Sequence, residues 1–438
     1  MASSLPFSKQ RRSLLSSQAR IQVPWIKVII GAYTFGVFSK STKAEKDKDG
    51  FYNAYEITYP NYVQSLQITK INGQVNQYVL TIIYPITVDD DPNFFEKVFS
   101  SVSNTRKIVF SYGDMSMPTY IYKDEEAIIT KVTSQFDLAG SRITYQVEAV
   151  SGAALGTAGC CTFLSDGKPH KPSEVIKKLF NTKKYGLYNV FYGMKGRNLN
   201  TFIAGDDQAV TLADKVNISV LEYITYLVSC MIPAGSTRGN ISKDIYILTI
   251  HDDTTYDKAF ADPEIIEGRE LVGPYFKVTK TSYSQEHADA YEVDIGYNNS
   301  TIVSNFQIEN NENYALYYDY QGKLNQEQYV RRINRDGKWE DVYAPNATSK
   351  NNSYLTRTSD ITWWTKITKY PINASITIQG LIRPAQLMTY LRLNVIFPGG
   401  GEGIRKHIAS GLYIITKQTD KIDASGYKTT LNLTKIAG

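Results

Sequence analysis

The chain has 438 residues, of which 42% are hydrophobic and 21% charged. That is enough apolar material for packed cores in roughly two to four domains, and it excludes a disordered or collagen-like polymer. Its 48 basic and 43 acidic residues leave a formal net charge of +5, too even a balance for a dedicated nucleic-acid binder, which concentrates its excess on one face.

The first 24 residues read as a basic arm. Lys9, Arg11 and Arg12 precede Ser13-Leu14-Leu15-Ser16-Ser17-Gln18, which is too short and polar for the apolar core of a signal peptide. The stretch from Trp25 to Phe38 is apolar but interrupted by Lys27, and it falls short of the ~20 residues a membrane helix needs. Leu66–Ile71 and Val79–Tyr84 read as strands around the turn Asn72-Gly73. Asp91 is placed to cap a helix that opens at Pro92 and carries Phe95, Val98, Phe99 and Val102 on one face. Lys107–Phe110 follows as a strand ending at Gly113.

The middle of the chain has a different texture. Ser173–Phe180 reads as a short amphipathic helix capped by Ser173, and Val220–Met231 as a second helix ended by Pro233. Asp244–His251, Tyr275–Thr281 and Tyr291–Ile295 read as strands, while 298–313 and 344–353 are rich in Asn and Ser and read as loops. Beyond them, Trp363–Thr368 and Ala374–Gly380 form a strand pair, Pro384 opens a short helix through Met388, and Asn394–Phe397 is a strand ending at Gly399-Gly400-Gly401.

The most informative feature is a repeat. Residues 128–150 and 414–436 align without gaps at a spacing of 286, with eight of 23 positions identical. The identities are Ile128/Ile414, Ile129/Ile415, Thr130/Thr416, Lys131/Lys417, Thr133/Thr419, Asp137/Asp423, Gly140/Gly426 and Thr144/Thr430. Period-two alternation, with Tyr145 and Val147 matching Leu431 and Leu433, marks half-buried antiparallel strands. Asp137 with Gly140, and Asp423 with Gly426, supply the turn between them. The upstream strands and Pro-led segments recur in the same order, so two related β-rich units bracket a dissimilar insert.

Chemistry is sparse. Cys160, Cys161 and Cys230 are odd in number and spell neither a disulfide framework nor a zinc site, which suits a reducing compartment. Of the four histidines, His251 before Asp252-Asp253 reads as a solvated strand end. No Gly-x-Ser-x-Gly elbow or His-Glu-x-x-His helix is present, and the Gly399–Gly403 run lacks a following Lys-Ser/Thr. The tyrosines of Tyr314–Tyr320 and the Trp363-Trp364 pair could stack on a sugar, but cross-strand pairing or burial at a subunit interface is the reading preferred. No catalytic residue, cofactor site or metal site is assigned.

The C-terminal run from Ser410-Gly411-Leu412-Tyr413 through Ile422-Asp423 to Gly426–Leu433 resembles the closing hairpin of tailed-phage baseplate hub proteins and of the related type VI spikes. The resemblance implies a mainly β (α+β) chain with two tube-like antiparallel β-barrel domains, 25–152 and 356–438, flanking inserted α+β domain material at 153–355. It further implies a non-enzymatic structural protein of the virion tail tip, assembled in the bacterial host cytoplasm, with no cofactor and no membrane insertion. Three chains would form a homotrimer adapting a sixfold tail tube to a threefold central spike. Its partners would be tube or distal tail proteins, the spike and other baseplate proteins, with phage DNA passing through the lumen unread. A tail-tip cell-wall hydrolase or glycan- or receptor-binding module is the second reading, and a six-chain distal tail ring the third.

Overall fold

The computed structural model describes residues 24–37, 62–71, 73–87, 90–100, 106–114, 122–137, 141–152, 160–181, 205–234, 244–251, 275–282, 291–296, 303–310, 329–333, 339–343, 372–380, 390–398 and 404–437, with single positions 139, 154 and 387. The protein is mainly β. In chain order the first strands are β1 (Pro24–Ile30), β2 (Tyr33–Val37), β3 (Val63–Ile71) and β4 (Gln77–Pro85). Helix α1 (Phe94–Ser100) leads to β5 (Lys107–Asp114), β6 (Tyr122–Asp137) and β7 (Arg142–Ser151). A middle section holds β8 (Cys160–Phe163), β9 (Pro169–His170), α2 (Pro172–Asn181), β10 (Val210–Thr211), β11 (Lys215–Ser219) and α3 (Val220–Ser229). It continues with β12 (Asp244–His251), β13 (Tyr275–Ser282), β14 (Tyr291–Gly296), β15 (Val303–Asn310), β16 (Tyr329–Ile333) and β17 (Trp339–Tyr343). The chain closes with β18 (Ile372–Gln379), β19 (Tyr390–Pro398), β20 (Ile404–Lys406), β21 (Gly411–Asp423) and β22 (Gly426–Ala437).

One sheet of fourteen strands dominates, in the order β15-β18-β22-β21-β3-β4-β7-β6-β5-β1-β2, with β14, β19 and β20 branching at β21. All its pairings are antiparallel except β14 with β19. The path has two ends, β15 and β2, and among the described residues no strand pairing joins them into a closed barrel.

The sheet contains the same arrangement twice. Strands β3-β4-β7-β6-β5 recur as β15-β18-β22-β21-β19. The registers agree: Lys107 faces Ile128 on β6, and Tyr390 faces Ile414 on β21. Both long hairpins bulge at the same threonine, Thr130 between Ile129 and Lys131, and Thr416 between Ile415 and Lys417. The bulge shifts the alternation by one residue, so in the second copy Tyr413 and Ile415 are followed inward by Gln418, Asp420 and Ile422. Strands β3 and β15 also bulge alike, between Val63 and Ser65 and between Val303 and Asn305.

Three cores follow. The first packs β1 to β7 with α1 around Tyr78, Phe95, Phe110 and Val147, and the second packs β14, β15, β18, β19, β21 and β22 around Ile376, Leu393, Ile415 and Leu431. The third, from the middle of the chain, unites α2, α3, β12 and β13 through Ile176, Ile224, Leu227 and Val278. Helix α1 is clamped to the first sheet by Phe95 against Tyr145 and by the Tyr145 hydroxyl donating to Glu96. Helix α3 opens on a reciprocal capping box between Ser219 and Glu222.

Several expectations change. The segment 298–313 is not a loop throughout, because Val303, Phe306 and Ile308 alternate inward and build β15. β15 also takes the place expected of Trp363–Thr368, which lies outside the described residues along with the Tyr314–Tyr320 and Trp363-Trp364 aromatics, Gly140 and the arm up to residue 23, whose last residue Pro24 instead opens β1. Helix α1 begins at Phe94, two residues past Pro92, since Asp91 first closes a turn by accepting from the Asn93 amide. Ser173 does not cap α2, which opens at Pro172; instead its amide and hydroxyl both donate to the buried Asp207 carboxylate. Proline at the first helical position explains the earlier start.

Candidate functional site

The two like units meet where β21 pairs with β3. Lys417 lies opposite Ile71, Gln418 opposite Lys70, Asp420 opposite Ile68 and Ile422 opposite Leu66. The second hairpin thereby reaches into the first core, where Ile422 and Tyr427 are buried among residues of β1 to β7.

Polar side chains reinforce this joint. Glu125 on β6 is 0% exposed, yet its carboxylate is served by three donors: Lys70 at 3.0 Å and the hydroxyls of Tyr78 and Tyr112, each at 3.0 Å. On the other side of the seam the buried Asp420 carboxylate accepts from Gln418 at 2.8 Å, Thr429 at 2.6 Å and Tyr427 at 3.1 Å. Burial raises the Asp420 pKa, opposed by the Thr429 hydrogen bond, the charge of Lys70 and the bonds from Gln418 and Tyr427. Lys70 therefore stands between an acid of its own unit and an acid of the other. Buried charges are tolerated when neighbours neutralise and hydrogen-bond them.

The turn residues singled out by the repeat serve each hairpin differently. Asp423 accepts from the amide and hydroxyl of Ser425, and Gly426 opposite it has φ of +119°. Asp137 pairs with Arg142 across a four-residue connection and takes its guanidinium at 2.9 Å; there Ser141, with φ of +46°, occupies the left-handed region. The first turn is two residues longer. β7 and β22 thus match at a spacing of 284, while β6 and β21 match at 286. A slip of two preserves which face each side chain presents, so the inward pattern read from the gapless alignment survives.

Gly380 fits against the joint. Its amide donates to the Tyr427 carbonyl at 2.7 Å, and a Cβ there would fall inside the Tyr427 ring.

Elsewhere the chemistry is modest. His170 bonds Asp166 at 2.9 Å, His407 accepts from the Ala409 amide, and among the described residues no cluster of His, Cys, Asp and Glu could hold a metal ion. No described helix is long and apolar enough to cross a membrane. Neither sequence repeat nor motif flagged the Lys70–Glu125 pair. Its one signal was weak: Glu125 sits in the run Lys123-Asp124-Glu125-Glu126, which reads as a solvated charge cluster, although alternation points this one residue inward.

No protein-family model matches the sequence, and no curated protein matches it. Solved structures do. The chain is similar to the tail protein from Neisseria meningitidis MC58, at 10% identity and TM-score 0.48, over 94% of this chain and 96% of that one. It is also similar to the 43 kDa tail protein of prophage MuSo2 from Shewanella oneidensis, at 9% identity and TM-score 0.46, over 94% and 97%. A third likeness, at 8% identity and TM-score 0.40 over 86% and 75%, is to the E. coli c3393 protein, a type VI secretion component described as similar to T4 tail proteins gp27 and gp5. The structural neighbours are thus phage tail proteins and a type VI secretion component.

Proposed function

We propose that this chain is a structural component of a phage-type tail, a hub in which three copies close a ring. Each copy contributes two like units, so a threefold ring presents six similar faces to a sixfold tube and three equivalent sites to a central spike. The observation that carries this reading is the duplicated strand order, with the same bulges at Thr130 and Thr416 and the two units joined side by side through β21 and β3. In the ring the open sheets of three chains would continue into one tube-like wall around a lumen that passes DNA without reading its sequence. The part of the middle section with its separate core, from β8 to β13 with α2 and α3, is the inserted domain material, and the chain does its work by assembly, without turnover.

Native mass spectrometry of the purified chain, alone and with tube and spike candidates, tests this. Three chains per particle and unchanged peptidoglycan after incubation are the expected results. A six-chain ring, or release of glycan fragments, would overturn the hub assignment.

A further inference from the structure

We infer that the exposed edge of β6 in one copy pairs antiparallel with β15 of a second copy, in a register set by the joint inside the chain. The inference rests on the ring reading and specifies its contact.

β6 and β21 are counterparts, and so are β3 and β15. Within one chain β21 is covered along residues 417–422 by β3. Among the described residues, the matching stretch of β6, residues 131–136, pairs with β7 on one side only, and β15, the counterpart of β3, ends the sheet after β18. Each unit therefore carries half of a joint whose complete form the chain already contains.

Side chains agree. Gln418, Asp420 and Ile422 are buried at the closed joint, whereas their counterparts Val132 and Phe136 are 37% and 59% exposed, and Ser134 is exposed. Exposed apolar side chains such as Val132 and Phe136 on an open strand edge invite pairing. The receiving strand is suited to it: Phe306 and Ile308 of β15 are only partly buried, on the rim of the second core. They stand where Leu66 and Ile68 of β3 receive Ile422 and Asp420.

Carrying the closed register over sets Phe136 opposite Phe306, Gln135 opposite Gln307, Ser134 opposite Ile308, Thr133 opposite Glu309 and Val132 opposite Asn310 of the second copy. Three copies each offering one β6 edge and one β15 edge leave neither unused.

Cysteine trapping tests the register. Facing residues in antiparallel strands have Cα atoms about 4.5–5.5 Å apart, within the span of a disulfide. Gln135→Cys with Gln307→Cys, and separately Ser134→Cys with Ile308→Cys, should give intermolecular species up to a covalent trimer under mild oxidation. Gln135→Cys with Ile308→Cys, on opposite faces, should not, with the parent chain as blank. Phe136→Asp should weaken association at least tenfold while leaving the unfolding midpoint of the isolated chain unchanged. A trimer by mass that crosslinks at neither pair, or only in the control, overturns this pairing and leaves the ring reading standing. A chain that stays monomeric and uncrosslinked overturns both.

Discussion

Ile422 and Phe136 hold the same place in two hairpins, 286 residues apart, and meet opposite fates. Ile422 is buried opposite Leu66, while Phe136 is 59% exposed. The contrast arises because β3 covers one hairpin and, among the described residues, no strand covers the matching stretch of the other. Four further expectations follow from the closed joint and its supports.

Gly426 holds φ of +119° opposite Asp423. A β-branched side chain there forces the two-residue connection out of its conformation. Gly426→Val should cost roughly 1–3 kcal/mol in urea denaturation and reduce the yield of assembled particles. Normal yield of soluble trimers from this variant would refute the role given to the turn.

Glu125 is the acceptor shared by Lys70, Tyr78 and Tyr112. Removing it takes the ion-pair partner from the partly buried Lys70 and one acceptor from each of two buried tyrosine hydroxyls. Glu125→Ala should lose about 3–5 kcal/mol, the range for breaking one side of a buried ion pair, with Lys70→Met/Glu125→Ala recovering part of the loss in a double-mutant cycle. A loss below about 1 kcal/mol, the range of surface ion pairs, would show that the network contributes little.

Asp420 supplies a pH dependence. Its carboxyl is buried and its pKa raised, so across the interval between the unfolded and folded pKa the native state holds more protons than the unfolded chain. Stability from this group is fully present at acidic pH and falls as pH rises through that interval. Urea titrations of the parent chain and Asp420→Asn should therefore show the parent losing ground to the variant on going from acidic to neutral pH. The reverse slope would mean that Lys70 and the three hydrogen bonds outweigh burial.

Gly380 leaves room for the Tyr427 ring. Gly380→Ala pushes that ring out of the first core, and overpacking of this kind costs about 1–3 kcal/mol. Loss of the near-ultraviolet tyrosine signal together with reduced stability is the expected result. An unchanged midpoint would indicate that β18 can shift to absorb the methyl group.

Much of the doubled architecture was legible in the sequence because the hairpins kept Ile-Ile-Thr-Lys and Asp-x-x-Gly in both copies. The inward faces were readable even though the turns differ by two residues, since strand alternation is blind to an even slip. β15 was missed for the opposite reason. Its apolar positions Val303, Phe306 and Ile308 are set among Asn298, Asn299, Asn305, Asn310 and Asn311, and its partner β18 starts only at Ile372. The Lys70–Glu125 contact is invisible for the same physical cause. Local pattern reports which face a residue takes, while long-range pairing decides which neighbour it meets there.

The joint of β21 with β3 also constrains the timing of folding. Ile71 and Lys417 are neighbours in space but lie near opposite ends of the sequence. During synthesis the edge of β3 stays bare until the last hairpin has left the ribosome, and long-range pairing of this sort is slow and exposed to aggregation. Ribosome-bound fragments that stop short of the final hairpin should therefore be the form most dependent on chaperones.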